Sequence, residues 1–312
     1  MAKKPFTSLI DAMNSGARRP VIDDFASALR TLPAAFATGK AKGFDRIGTL
    51  RRLRSLSLRE ISQDQLDLVA KMDWLEDLRV FGFRGVDATA LMSLKKLRTL
   101  SFQWAPKLRD VTVFGRLKHL DVMAIGDFKA IDDFKPLGAL TRLRALSVTG
   151  PNLGRQACRS LEPFGRMQGL EELWLAGVQA PGDDLRALAR LTGLRRLQLA
   201  NWYPAREFAR LAVALADTQC DLFKPTSSLA GKFEVYNPKT GEFEADKSVG
   251  TIMLTGKPAK LLKSGDPATA ALVAKRTAEF NAWQSYYRDG ADPAKDARTT
   301  LPGLTTPGKA RR

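Results

Sequence analysis

The chain is expected to fold as an α/β solenoid built on a parallel sheet, and three observations lead there. Seven phrases of one pattern fill its middle: LRRLRSLSL (50–58), LEDLRVFGF (75–83), LKKLRTLSF (94–102), LKHLDVMAI (117–125), LTRLRALSV (140–148), MQGLEELWL (167–175) and LTGLRRLQL (191–199). Within each, the last two apolar residues sit two apart, which puts both side chains on one face of a strand. The phrases recur at intervals of about 19 to 27 residues, a spacing for stacked turns that share a core because no turn can bury its apolar side alone.

The phrases align on apolar triplets. These are Leu53, Leu56, Leu58; Leu78, Phe81, Phe83; Leu97, Leu100, Phe102; Leu120, Met123, Ile125; Leu143, Leu146, Val148; Leu170, Leu173, Leu175; and Leu194, Leu197, Leu199. Each strand is followed by a loop and a short helix-like segment, such as Asp64–Met72 or Asp183–Leu191. An eighth strand is expected at Gln219–Phe223, behind a helix over Ala205–Ala216, with Cys220 and Leu222 turned inward.

The stretch from about 44 to 223 resembles the leucine-rich repeat family through its L-x-x-L-x-L core, present in all seven copies with Phe, Met, Ile or Val as substitutes. The resemblance implies a horseshoe with a concave parallel sheet and a role in protein–protein interaction. One feature departs from it. Members commonly carry Asn or Cys three residues past the last strand Leu, and here those positions hold Ile61, Val86, Ala105, Phe128, Pro151, Val178 and Trp202. Without an Asn ladder, the loop amides and carbonyls must find other partners or water.

The two ends lack the period. Residues 1–48 read as a helical N-terminal cap, with Phe25, Ala28, Leu29 and Leu32 at helical spacing and Asp23 and Asp24 at the helix start. The solenoid proper spans 49–224. Residues 225–289 read as a cap or small module: a β-hairpin from Lys232–Tyr236 and Glu242–Ala245, a third strand at Thr251–Thr255, and a helix opened by Asp266 and Pro267 that runs to about Tyr287. Its apolar face carries Leu272, Val273, Phe280 and Trp283. Residues 290–312 read as a basic disordered tail.

Composition narrows the function. The 312 residues include 50 Lys and Arg against 33 Asp and Glu, a formal charge of +17. That balance suits nucleic acid, an anionic surface or an acidic protein, and a solubilising Lys/Arg surface explains it equally well. Two cysteines, Cys158 and Cys220, exclude a disulfide scaffold and fit a reducing compartment. No secretory signal and no run of about 18 apolar residues is present, so a cytoplasmic protein without membrane insertion is expected. The Ala/Arg/Leu-rich composition suggests a bacterial source. One histidine, His119, and two scattered cysteines do not make a metal cluster, and neither a Walker A loop nor a dinucleotide fingerprint occurs. The adjacent acids Asp183 and Asp184 stand where a helix starts. No cofactor and no catalytic set is expected.

The register predicts a binding face. Between the last two members of each triplet stand Ser57, Gly82, Ser101, Ala124, Ser147, Trp174 and Gln198, a trough of small residues ending in a large aromatic. Arg59, Arg84, Gln103 and Trp104 make its N-terminal half basic and aromatic, and Trp174, Arg196 and Gln198 mark the C-terminal half. Exposed Trp and Arg are enriched where partners bind, so these seven residues are the candidate partner-binding set. The alternative for Trp174 is that a C-terminal loop or the last helix folds over it. Arg54, Arg79, Arg98, Arg144 and Arg195 recur as a second series, either a solvated rim or a phosphate track. The expected partner is a protein, acidic or of mixed charge; nucleic acid is the second reading.

Overall fold

A computed structural model describes residues 8–14, 19–128, 130–150, 154–228, 234–237, 242–245, 252–263 and 266–290. Contacts divide the chain into two compact units. The first comprises Met1–Gly182, Arg190–Ala200 and Asp217–Gln219; the second comprises Asp183–Ala189, Asn201–Ala216 and Cys220–Arg312.

The first unit starts with a short helix, α1 (Leu9–Asn14). Its strands are β1 (Val21–Asp24), β2 (Ala34–Lys42), β3 (Ser55–Ile61), β4 (Asp77–Phe83), β5 (Thr99–Gln103), β6 (Val122–Gly126), β7 (Ala145–Thr149), β8 (Gln156–Ala157), β9 (Glu172–Leu175), β10 (Val178–Gln179) and β11 (Arg196–Leu199). Nine of these form one sheet in the order β1-β2-β3-β4-β5-β6-β7-β9-β11, parallel throughout. The small pair β8 and β10 lies outside it. The return path of each turn is short: α2 (Gln63–Val69), α3 (Thr112–Arg116), α4 (Glu162–Gly165) and single 3-10 turns such as Thr89–Ser93 and Lys135–Ala139. α2 opens with a complete capping box, Ser62 accepting from the Gln65 amide and the Gln65 side chain accepting from the Ser62 amide.

The inward leucines stack as expected, with one change of phase. Leu78 pairs with Leu56 and Leu100, and Val80 pairs with Leu58 and Phe102. The inner pair of the second repeat is therefore Leu78 and Val80, not Phe81 and Phe83. Both alignments bury apolar residues, so periodicity alone could not choose between them. The ladder chooses by the even spacing of Leu56, Leu78 and Leu100. After Val80 the chain turns at Gly82, sending Phe81 outward, 47% exposed, and Phe83 inward, fully buried.

That turn is one of a series. Glu60, Gly82, Trp104 and Asp127 all take left-handed backbone, with φ of 56°, 88°, 57° and 60°. Each is followed by a buried residue: Ile61, Phe83, Ala105 and Phe128. Main-chain bonds link neighbouring turns at this level, from the Phe83 amide to Trp104 O (3.0 Å), from Trp104 to Gly126 O (3.2 Å) and from Asp127 to Thr149 O (3.1 Å). They do the work for which an Asn ladder was wanted. Beneath them an aromatic spine fills the core: Phe83 meets Phe102 at 5.3 Å, Phe102 meets Phe114 at 5.5 Å, and Phe114 stacks on Phe128 at 6.0 Å. Val86, set in the Asn position by the shifted alignment, is 63% exposed.

The N-terminal cap is a correction. No helix covers Phe25–Leu32, and Leu29 is 68% exposed. β1 and β2 extend the sheet instead, with Ala35 and Ala37 buried at strand spacing. The physical reason is the edge of β3, whose row of main-chain donors and acceptors a helix cannot satisfy and a strand can. The eighth strand is a second correction: only a single bridge joins Gln219 to Arg196, and Asp221–Phe223 is a 3-10 turn.

The second unit holds α5 (Ala205–Ala214), β12 (Thr226–Ser228), β13 (Glu234–Asn237), β14 (Glu242–Ala245), β15 (Ile252–Leu254), β16 (Leu261–Leu262) and α6 (Pro267–Arg288). The hairpin β13–β14 forms as expected. The third strand does not join it; β15 pairs antiparallel with β12 and β16. α6 starts where Asp266 accepts from the Ala268 amide at 2.9 Å. It packs on α5, burying Phe280 and Trp283, while Leu272 and Val273 are half-buried. On α5 Glu207, buried, accepts from Arg210 at 2.6 Å and from the Leu185 amide at 3.0 Å. Of residues 290–312, expected as a disordered tail, 291–312 lie outside the described residues.

The Gly82 turn yields a test. A Cβ there would stand 3.1 Å from the Trp104 ring and 3.3 Å from the Glu60 amide, on backbone that L-residues avoid. Gly82→Ala is expected to lower unfolding free energy by about 1–3 kcal/mol, read as a fall in urea midpoint at unchanged slope.

Candidate binding face

The sheet face away from the helical returns carries three rows, read across the strands. The first runs Ala34, Ser55, Asp77, Thr99, Val122, Ala145, Glu172, Arg196. The second runs Phe36, Ser57, Arg79, Ser101, Ala124, Ser147, Trp174, Gln198. The third includes Thr38, Arg59, Phe81, Gln103, Gly126 and Thr149.

Four of the seven candidates come together in and beside the third row. Arg59, Phe81 and Gln103 are lateral neighbours. Phe81 meets Trp104 with ring centroids 5.7 Å apart, and the Arg59 guanidinium lies 5.7 Å from the Phe81 ring. Arg84, on the next turn, pairs with Glu60 at 2.7 Å while staying largely exposed. Trp104 is 41% exposed and held in left-handed backbone, a conformation bulky residues adopt only where the surroundings impose it. Phe81 was missed because the shifted alignment turned it inward. The spacing of Leu56, Leu78 and Leu100 was the signal that could have found it.

The other three candidates stand apart, and two of them are engaged. Gln198 is exposed beside Trp174. Trp174 is half-buried, with the Arg196 guanidinium 5.0 Å from its ring. Among the described residues, what packs against it is α1, from the N-terminal end. Arg196 pairs with Asp11 of α1 at 2.5 Å. Neither is an open contact residue.

The expected arginine series also changes. With the second repeat rephased, the residues just before the strands are Arg54, Glu76, Arg98, Asp121, Arg144, Glu171 and Arg195, linked in that order by main-chain bonds of 2.7–2.9 Å. Charge alternates strictly along the series. Arg144 and Glu171 pair at 2.7 Å, Arg54 and Glu76 at 3.6 Å, and Arg195 and Glu171 at 3.9 Å. The Glu171 carboxyl is held below its ordinary value by the hydrogen bond from Arg144. Arg79 lies on the open face instead, 3.0 Å from Asp77.

His119, Cys158 and Cys220 sit in structural surroundings. His119 sits 3.0 Å from the Leu94 carbonyl, and partial burial lowers its pKa. Cys158 is buried, and burial pushes its thiol up to about 11; Cys220, half-buried, is pushed up to about 12 for the same reason. Among the described residues no three His, Cys, Asp or Glu side chains gather to hold a metal ion, and no helix is long and apolar enough to cross a membrane.

In-register repeats on one parallel sheet, with short helical returns, decide the fold. It is a leucine-rich repeat solenoid. No family model and no curated protein matches the chain. Among solved structures, an internalin from Listeria monocytogenes is similar at 20% identity and a TM-score of 0.43, covering 62% of this chain and 67% of that one. An internalin C2 of the same species gives 22% identity and a TM-score of 0.39 over 51% of this chain and 66% of its own. A leucine-rich repeat protein of Leptospira interrogans gives 19% identity and a TM-score of 0.40 over 70% and 57%. The chain thus spans between 57% and 67% of the length of these three. At such scores the similarity carries no functional information.

The raised thiols make a prediction. Because burial raises the folded pKa above that of an ordinary thiol, their stabilising effect is complete below the ordinary thiol range and is lost as pH rises through about 11. At pH 8 both cysteines should resist iodoacetamide for hours in buffer and react within minutes in 8 M urea, followed by mass spectrometry.

Proposed function

We propose that the protein is a non-enzymatic binding module that takes a segment of another protein on its open sheet face, at Arg59, Phe81, Gln103 and Trp104, with Arg84 at the margin. The observation that carries this reading is the pair of exposed, mutually packed aromatics. Phe81 and Trp104 stand on a rigid ladder, where little side-chain order is lost on binding. Large apolar residues left in water beside arginine are the residue types that dominate interface energetics. Arg59 and the exposed Arg84 favour acidic groups in the ligand, in keeping with the +17 charge. Two cysteines without a disulfide are compatible with an intracellular setting.

Nucleic acid is the weaker reading. A phosphate track needs a run of one sign, and the series before the strands alternates between arginine and acid.

Panning a random peptide library on the full chain tests the proposal. Selected peptides should be rich in Asp or Glu, and Trp104→Ala or Phe81→Ala should weaken them by about thirtyfold or more, corresponding to about 2 kcal/mol. Peptides that bind both variants as tightly as wild type would remove this face from consideration.

A further inference from the structure

We propose that the open face over β6, β7 and β9 is a second peptide site, specific for a short helix, and that α1 is its resident occupant. This rests on the reading above for the existence of a protein ligand, but the surface is a different one.

A six-residue helix is marginal in water by itself, so the order of α1 depends on where it lies. Ile10 and Met13, one helical turn apart, are 0% and 4% exposed. They rest on Val122, Ala124 and Ala145, with Leu9 and Trp174 at the margin. The bed is made of small or flat side chains, which leaves the width a helix needs above the sheet.

The polar contacts are equally specific. Glu172, fully buried, accepts from the Ser8 hydroxyl at 2.8 Å and from the Leu9 amide. The Ser8 oxygen in turn accepts from the Asp11 amide at 2.9 Å, capping the helix. A carboxylate in this position is costly unless a ligand brings donors to it. Asp11 meets Arg196 on the other flank. Further along the chain Arg19 is anchored on the same sheet, to Ser57 at 2.7 Å, Ser55 at 2.8 Å and Asp77 at 2.8 Å.

The fit leaves room for improvement: among the described residues the buried Trp174 Nε1 has no acceptor. A peptide that places an oxygen there gains a hydrogen bond that α1 lacks. The subsites define the competing ligand as a short helix with Ser or Thr at its start, an apolar residue two and five positions later, and an acid three positions later. α1 holds the advantage of being tethered, so an external peptide competes against a high local concentration.

The test uses full chain labelled with 5-fluorotryptophan, its signals assigned with Trp174→Phe and Trp104→Phe. Ile10→Asp with Met13→Asp should release α1 and shift the Trp174 signal while leaving Trp104 in place, with far-ultraviolet circular dichroism losing no more than the signal of one short helix. A capped synthetic peptide of residues 7–14 should then return the Trp174 signal to its wild-type position. The same peptide with Asp at 10 and 13 should not, and wild-type protein should need at least tenfold more peptide to respond. A Trp174 signal that ignores the double substitution, or that ignores the peptide at millimolar concentration, overturns the proposal. So does a wild-type signal that changes with protein concentration, which would mean that α1 docks on a second copy. Trp104 reports on the other surface throughout, so failure of one site is read separately from failure of the other.

Discussion

Main-chain pairing between parallel strands, held in one register from β2 to β11, is the constraint on which everything else depends. It fixes which side chains share a row, and through the rows it places the core, the charged series and the open face. A slip of one residue would turn every leucine outward. A slip of one whole repeat is guarded against differently. Glu76, Asp121 and Glu171 alternate with Arg54, Arg98, Arg144 and Arg195, so pairing each strand with the wrong turn sets like charges side by side. Individual exposed ion pairs contribute little to stability; their order along the ladder is what matters.

Past the strand ends the register is kept by backbone conformation. Glu60, Gly82, Trp104 and Asp127 turn left-handed at equivalent places, and each turn drops the following residue into the aromatic spine. Only one of these is glycine, so the others hold strained backbone that the packing of Ile61, Ala105 and Phe128 must offset. The same device puts Trp104 in solvent. Its exposure follows from the strain that the turn imposes, and Phe81 owes its own exposure to the turn at Gly82. The candidate binding surface is thus a by-product of how the ladder closes each repeat.

The open face is not uniform. Toward β3–β5 it carries aromatics and arginines in water. Toward β6–β9 it is small-sided and covered by α1, with a buried carboxylate and a half-buried indole beneath. Two chemistries on one rigid sheet allow one ligand to span both regions or two ligands to use them separately, because each strand contributes its own side chains to a common row.

By itself the sequence determined the solenoid, the strands of its seven repeats and most of its inward leucines, together with α5, α6 and the hairpin. These depend on contacts between neighbouring turns, and periodicity reports such contacts directly. The positions of Arg59, Arg84, Gln103 and Trp104 in and beside one row were legible for the same reason. What only tertiary structure decided needed longer reach. The phase of the second repeat was ambiguous within its own nine residues and was settled by the strands on either side. The cap became β1 and β2 because an unpaired sheet edge outweighs a local helical pattern. Trp174 lost its freedom to α1, whose Ser8 lies 164 residues from the Glu172 it caps against. No local pattern records a contact at that distance; only the folded sheet, offering an apolar bed and a carboxylate needing donors, selects it.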